Sequence, residues 1–314
     1  MGVDQNSYFN SYVKFFSDEF YADSIILSSF HLETHPSSIH TTTVQPNTTI
    51  YKAAQTMVLF MGSLQHIHTA VNMCRLGMVD QAKSEWDRGI GLFLGSAVKP
   101  DQDIAYPVDN GHSLYALGKE ICGVFNSCDE VDKIYDAFLV GAKLLDQSLC
   151  TDTLRLAEST IKPSLLTTII QAMIESSAKI ENITDANEDM FAYATGNIYV
   201  LSMIPLINAI DSDTAKIVSL NMGINTNALF SALKSILPKL YINCTDLRVE
   251  RVISDGCDLY SFSDTNSSVA YKTSSNITNL AKIDLDVKLM IDALSKDEAD
   301  LAEIVYSNVS NCSG

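Results

Sequence analysis

EWDRGIGLFLGS, Glu85–Ser96, decides how this chain is read, because it returns in altered form as AYATGNIYVLSMIP, Ala192–Pro205. Setting Trp86 against Tyr193 aligns Gly89 with Gly196, and the apolar run Ile90–Leu94 with Asn197–Leu201. The segment before each copy also matches: MVLFMGSLQHIHTAVN (Met57–Asn72) lies over LLTTIIQAMIESSAKI (Leu165–Ile180) at nearly the same offset. Two paired segments with shared spacing indicate an internal duplication of whole helical bundles rather than a short solenoid repeat.

Outward from these copies the apolar residues recur at three and four, the period of a helix with one buried face. Asn10 to Phe30 reads as one helix, followed by a long loop with Pro36, Pro46, His31, His35 and His40. Tyr51–Leu76 and Val79–Gly95 read as the next two, with His66 and His68 on different helix faces. His112–Phe125, Asp132–Asp146, Asp152–Ile161, Ser164–Glu181, Asp189–Ala209, Ser212–Leu220 and Asn227–Leu240 continue the pattern, and Pro205 is expected to kink or end its helix. Between Thr245 and Asn279 no helical period is visible, which predicts a linker or at most a small hairpin. Helix resumes at Ile283–Tyr306 in two pieces. The expected architecture is all-α: residues 1–150 and 151–244 as two bundle units, 245–281 as linker, and 282–314 as the start of a further unit.

Charge and motifs narrow the function. A net charge of −17 on 314 residues disfavours nucleic acid and anionic membrane as partners, since polyanions are repelled. No run of apolar residues reaches a membrane span, and no signal peptide is visible at MGVDQNSYFN. Seven Asn-X-Ser/Thr triplets, starting at Asn47, Asn182, Asn243, Asn266, Asn276, Asn308 and Asn311, suggest an exported glycoprotein. Seven cysteines without a C-x-x-C pair predict disulfides rather than a zinc cluster, with one thiol left over. The chain carries no G-x-S-x-G, H-E-x-x-H, P-loop or G-x-G-x-x-G, so no enzyme is expected. The aspartates Asp101, Asp103 and Asp109 are too sparse for a calcium loop.

WDRGIGLFLGS (Trp86–Ser96), SLYALGKEICGVFNSC (Ser113–Cys128) and ATGNIYVLSMIPLINAIDSDTAKIV (Ala194–Val218), in that order, resemble the algal Fe-assimilating, low-iron-inducible periplasmic proteins, which include the phytotransferrins. KIDLDVKLMIDALSKDEADLAEIVYSN (Lys282–Asn308) resembles the opening helices of one of that family's repeats. The resemblance implies imelysin-like duplicated bundles, a place outside the cell, at its surface or in the periplasm, and binding of Fe3+ with carbonate as synergistic anion for delivery to cell-surface uptake machinery. Ferric ion prefers carboxylate, phenolate and imidazole, and a bound carbonate needs a cationic partner. The candidate metal residues are accordingly Asp23, Asp87, His112, Tyr115 and Tyr193, and the candidate anion-binding residue is Arg88.

Each candidate also has a plain reading. Asp87 is either a ligand aimed into the bundle or the partner of an arginine or a neighbouring helix. Glu85 is expected to face solvent. His112 and Tyr115, three apart, share a helix face and can reach one ion, or else serve packing. Tyr21 and Asp23 lie two apart, so one faces the core, and Asp23 is the candidate. Tyr193 holds the place of Trp86, where packing is the alternative. Arg88 and Thr195 stand where the family carries acidic residues, which removes two carboxylates and favours a second function: a non-catalytic surface or adhesion module of the same fold that has lost its metal.

Overall fold

The computed structural model describes residues 8–30, 46–95, 98–99, 104–105, 112–125, 127–183, 186–249, 252, 257, 271–277, 280, 283–296 and 298–309. The loop histidines His31, His35 and His40, the aspartates Asp101, Asp103 and Asp109, and Cys312 lie outside them. The protein is all-α, as its periodicity predicts. Helices α1 (Tyr8–Phe16) and α2 (Tyr21–Phe30) replace the single helix expected there, because Ser17 takes a left-handed φ of 55°. Asp18 then caps α2, accepting from the Phe20 N–H at 2.8 Å and the Ser24 hydroxyl at 2.6 Å.

The order of elements repeats. A long helix made of α3 (Pro46–Ala53), a π segment (Ala54–Leu59) and α4 (Phe60–Arg75) leads into α5 (Val79–Leu94), α6 (Leu114–Phe125) and α7 (Asp129–Asp146). A second long helix, α8 (Cys150–Leu156), a π segment (Ala157–Ile161) and α9 (Lys162–Asn182), leads into α10 (Ala186–Ile210), α11 (Ser212–Asn221) and α12 (Thr226–Ile236). Helix α9 runs through Pro163 and α10 runs through Pro205, so neither proline ends its helix. The wide π turn just before Pro163 is a known way for a helix to absorb a missing N–H.

The chain divides into two compact units that do not follow the sequential boundaries expected above. One comprises Met1–Met57 and Leu166–Phe262, the other Val58–Leu165 and Ser263–Gly314. Each long helix therefore begins in one unit and ends in the other.

In the first unit α10 is the central helix. Its Met190–Ile210 stretch is long and apolar enough to cross a membrane, but 78% of its most apolar window is buried within the protein, as for a core helix. Ile198, Leu201, Met203 and Ile207 are buried along it, with Tyr12, Ile25 and Phe230 from neighbouring helices. Some polar groups inside this core pair with one another: Tyr12 donates to the Ser202 carbonyl, and the Ser202 hydroxyl donates to Thr56 Oγ1 at 2.8 Å.

In the second unit the only tryptophan, Trp86, is fully buried. Its indole N–H donates to the Phe138 carbonyl at 3.1 Å, and its ring stands edge-on to Phe138 with centroids 5.4 Å apart. Helices α4 and α5 form a close antiparallel pair, with the Ser63 hydroxyl donating to the Gly89 carbonyl at 3.0 Å. A small antiparallel sheet, β1 (Val98–Lys99), β2 (Ile104–Ala105) and β3 (Tyr271–Lys272), sets Ala105 opposite Tyr271. The segment expected to be a linker is divided, with Thr245–Val249 in the first unit and Tyr271–Ile277 in this one, where α13 (Ile283–Leu294) and α14 (Ala299–Val309) follow.

Disulfides join Cys74 to Cys150, Cys122 to Cys128 and Cys244 to Cys257, which places the folded chain in an oxidising, secreted-type environment.

Candidate functional site

The most concentrated polar arrangement among the described residues is built on Asp87 of α5. Its helix turns Trp86 and Asp87 inward together, and Asp87 is only 2% exposed. A carboxylate so buried needs donors in place of water, and residues 271–275 supply them. Tyr271 donates its hydroxyl to Oδ1 at 2.7 Å. Oδ2 accepts from the Ser274 N–H at 2.6 Å and hydroxyl at 2.7 Å, and from the Ser275 N–H at 2.8 Å and hydroxyl at 3.0 Å. The two consecutive N–H groups form a small anion nest of the kind loops use for phosphates, here filled by the protein's own carboxylate. Burial, then the Asp87 charge and hydrogen bond, push the Tyr271 phenol well above its ordinary value, so it stays a protonated donor.

One residue further along, Arg88 points outward. Its Nη1 donates to Glu85 Oε1 at 2.8 Å, while Glu85 Oε2 lies 2.6 Å from His66 Nδ1 on α4. Glu85 is therefore not solvent-facing as expected; its side chain is 13% exposed because it braces the α4–α5 pair. Burial alone would raise the Glu85 carboxyl, but the His66 hydrogen bond and the His66 and Arg88 charges hold it below its ordinary value. His68 faces elsewhere, with Nε2 2.9 Å from the Asn72 amide, as its spacing from His66 predicts.

The remaining candidates take places set by their own elements. Tyr115 is buried on α6, edge-on to Phe93 at 5.8 Å, with the Lys119 ammonium 5.3 Å from its ring centre. His112 is not on that helix, because the Ser113 hydroxyl accepts from the Ala116 N–H at 3.2 Å and caps α6 at Leu114. The three-residue helical spacing invoked for His112 and Tyr115 therefore does not apply. Asp23 and Tyr193 belong to the other unit. There Tyr21, not Asp23, faces the core: it is 3% exposed and stacks on Phe16 at 5.3 Å. Tyr193 is only half-buried, unlike Trp86. Thr195, the counterpart of Arg88, is buried in α10. Among the described residues, no group of three or more His, Cys, Asp or Glu is arranged to hold one metal ion.

Another buried carboxylate, also near this unit's helices, was not singled out from the sequence. Asp284, at the start of α13, lies so close to Gly95 that a Cβ there would sit 2.6 Å from Oδ2. Only glycine serves at this point, which also requires a φ of 68°. Tyr271, Ser274 and Ser275 were missed as well, for they sit in the stretch without helical period. Glu85 and His66 carried a usable signal: they lie on two helices joined by a short turn, an arrangement in which antiparallel helices bring residues face to face.

As to chemistry, the Asp87 arrangement is a closed hydrogen-bonded clamp. A cation could be ligated there only after Tyr271 and the two serines gave up their bonds. No family model, curated protein or solved structure matches this chain.

Proposed function

We propose that this chain is a non-catalytic surface module that works outside the cytosol, in which the duplicated helices are kept and the inward carboxylate of α5 is used for architecture. The observation that carries this reading is Asp87, whose two oxygens accept five hydrogen bonds from Tyr271, Ser274 and Ser275. Arg88 supports it, since its guanidinium is engaged by Glu85. The disulfides and the exposed sequon residue Asn243 support a location outside the cell, at its surface or in the periplasm.

The competing reading is ferric-iron binding for assimilation, with carbonate as synergistic anion and transfer to uptake machinery. It rests on the ordered motifs of Trp86–Val218 and on the acidic charge. Titration of the demetallated protein with ferric citrate, with and without bicarbonate, separates the two. The surface-module reading predicts neither a phenolate-to-iron absorption band nor calorimetric heat beyond that of buffer. A saturable, bicarbonate-dependent response that weakens in Asp87→Asn or Tyr115→Phe would overturn it in favour of iron.

A further inference from the structure

Four sequon asparagines have described side chains, Asn47, Asn182, Asn243 and Asn276, and all four are exposed. They differ in what surrounds the amide. Asn47 lies in the first turn of α3, and its sequon hydroxyl residue Thr49 is buried. Asn182 ends α9 and donates its side-chain amide to the Ala178 carbonyl at 2.7 Å. Asn276 is followed by Ile277, buried against Gly91. Asn243 lies outside any α-helix in extended backbone, at φ −79° and ψ 139°, and its side chain caps no helix N–H. Its sequon, Asn243-Cys244-Thr245, has a disulfide cysteine at the centre.

From this geometry we infer that Asn243 is an N-glycosylation acceptor, modified before the Cys244–Cys257 disulfide closes. The inference rests on the extracytoplasmic location proposed above. The donor is a lipid-linked oligosaccharide diphosphate. Asn243 Nδ2 forms a bond to the anomeric carbon, the anomeric carbon–oxygen bond breaks, and the lipid diphosphate leaves with the electron pair. The nitrogen sheds one proton, and nothing is oxidised or reduced.

The order of events follows from the folded turn. A transferase must lay the asparagine amide and the Thr245 hydroxyl side by side on an open strand. In the finished fold the Asp246 N–H donates to the Asn243 carbonyl at 3.0 Å, and the Arg248 N–H to the Thr245 carbonyl at 3.4 Å, coiling the sequon into a short 3₁₀ turn, Cys244–Leu247. That turn is anchored from below: Leu247 is fully buried and its carbonyl accepts from Gln171 Nε2 at 3.1 Å. With Cys244 also tied to Cys257, Cα atoms 5.5 Å apart, the sequon cannot be drawn out. Transfer therefore belongs to the stage before this segment docks, after which the glycan stands on an exposed residue and leaves the core undisturbed.

The full chain directed through a eukaryotic secretory pathway, and in parallel translated into microsomes, tests this. Site occupancy is read by mass spectrometry after enzymatic deglycosylation in heavy-oxygen water. Asn243 is expected to be occupied, and Asn243→Gln and Thr245→Ala each to lose one glycan's mass. Cys257→Ser, which keeps the sequon but prevents closure, is expected to raise the occupied fraction, and microsomes report it even if that variant is not secreted. A secreted wild-type protein with a bare Asn243 overturns the site while leaving the location standing. Glycan on Asn243 in microsomes, with the protein absent from its natural exterior, counts against the location instead. Equal occupancy in wild type and Cys257→Ser overturns the order of events.

Discussion

Asp87 and Tyr271 are 184 positions apart in sequence and 2.7 Å apart in the fold. Hydrogen bonds to a buried charged group contribute about 1.5–3 kcal/mol each, and losing the charge leaves the donors facing a neutral group. Asp87→Asn is therefore expected to destabilise the protein by about 2–4 kcal/mol, since its amide N–H₂ would confront donors rather than acceptors. Urea unfolding followed by circular dichroism reads this; an unchanged midpoint would refute the clamp. The same bond sets a pH dependence. Because the folded Tyr271 pKa lies above the unfolded value of about 10, its contribution is intact below that pH. Above it the unfolded chain loses a proton that the folded chain keeps, so stability falls as pH rises. Tyr271→Phe should flatten part of that fall, the rest belonging to Tyr12 and Tyr21, which are also raised by burial. None of this was legible at Asp87 alone. An inward Asp87 was one of the readings its helix left open, and the identity of its partners lay in a serine-rich stretch with no period to read.

Helices carry the part of the fold that sequence reveals best, because apolar residues at three and four are a local record of a buried face. Their ends were less legible: Ser17 splits one expected helix, and Ser113 starts α6 two residues later than apolar spacing suggests. Two-residue strands leave no pattern at all. Helix contacts explain the matched glycines only in part. Gly196 on α10 faces the flexible tip of Met222, where an added Cβ would lie 2.1 Å from Cε, whereas Gly141 on α7 faces the ring of Trp86 at 2.0 Å. Alanine gains about 1 kcal/mol of helix propensity over glycine at either place. Met222 can swing aside, but Trp86 is fully buried and hydrogen-bonded. Gly141→Ala should thus cost about 1–3 kcal/mol from overpacking, and Gly196→Ala should be nearly neutral. Thermal melts of the two variants would decide it, and equal shifts would contradict the contrast.

At the scale of the whole molecule, covalent links differ in what they hold. Cys74–Cys150 spans 76 positions and ties the end of α4 to the start of α8, while Cys122–Cys128 spans six. By chain entropy the longer loop is worth about 4 kcal/mol and the shorter about 2. The double variant Cys74→Ser/Cys150→Ser should therefore lose more stability in urea than Cys122→Ser/Cys128→Ser; equal losses would show that loop length is not what matters. The repeated order of helices was legible from the paired segments, but the assignment of helices to compact units was not, since it depends on where two long helices travel. That path has a consequence for inheritance. A gene that has doubled can ordinarily be trimmed back to one copy, or have its copies shuffled into other genes. Here, excising residues 46–146 would strip α3 from one compact unit and α4 to α7 from the other in a single cut. Such a cut leaves neither compact unit whole.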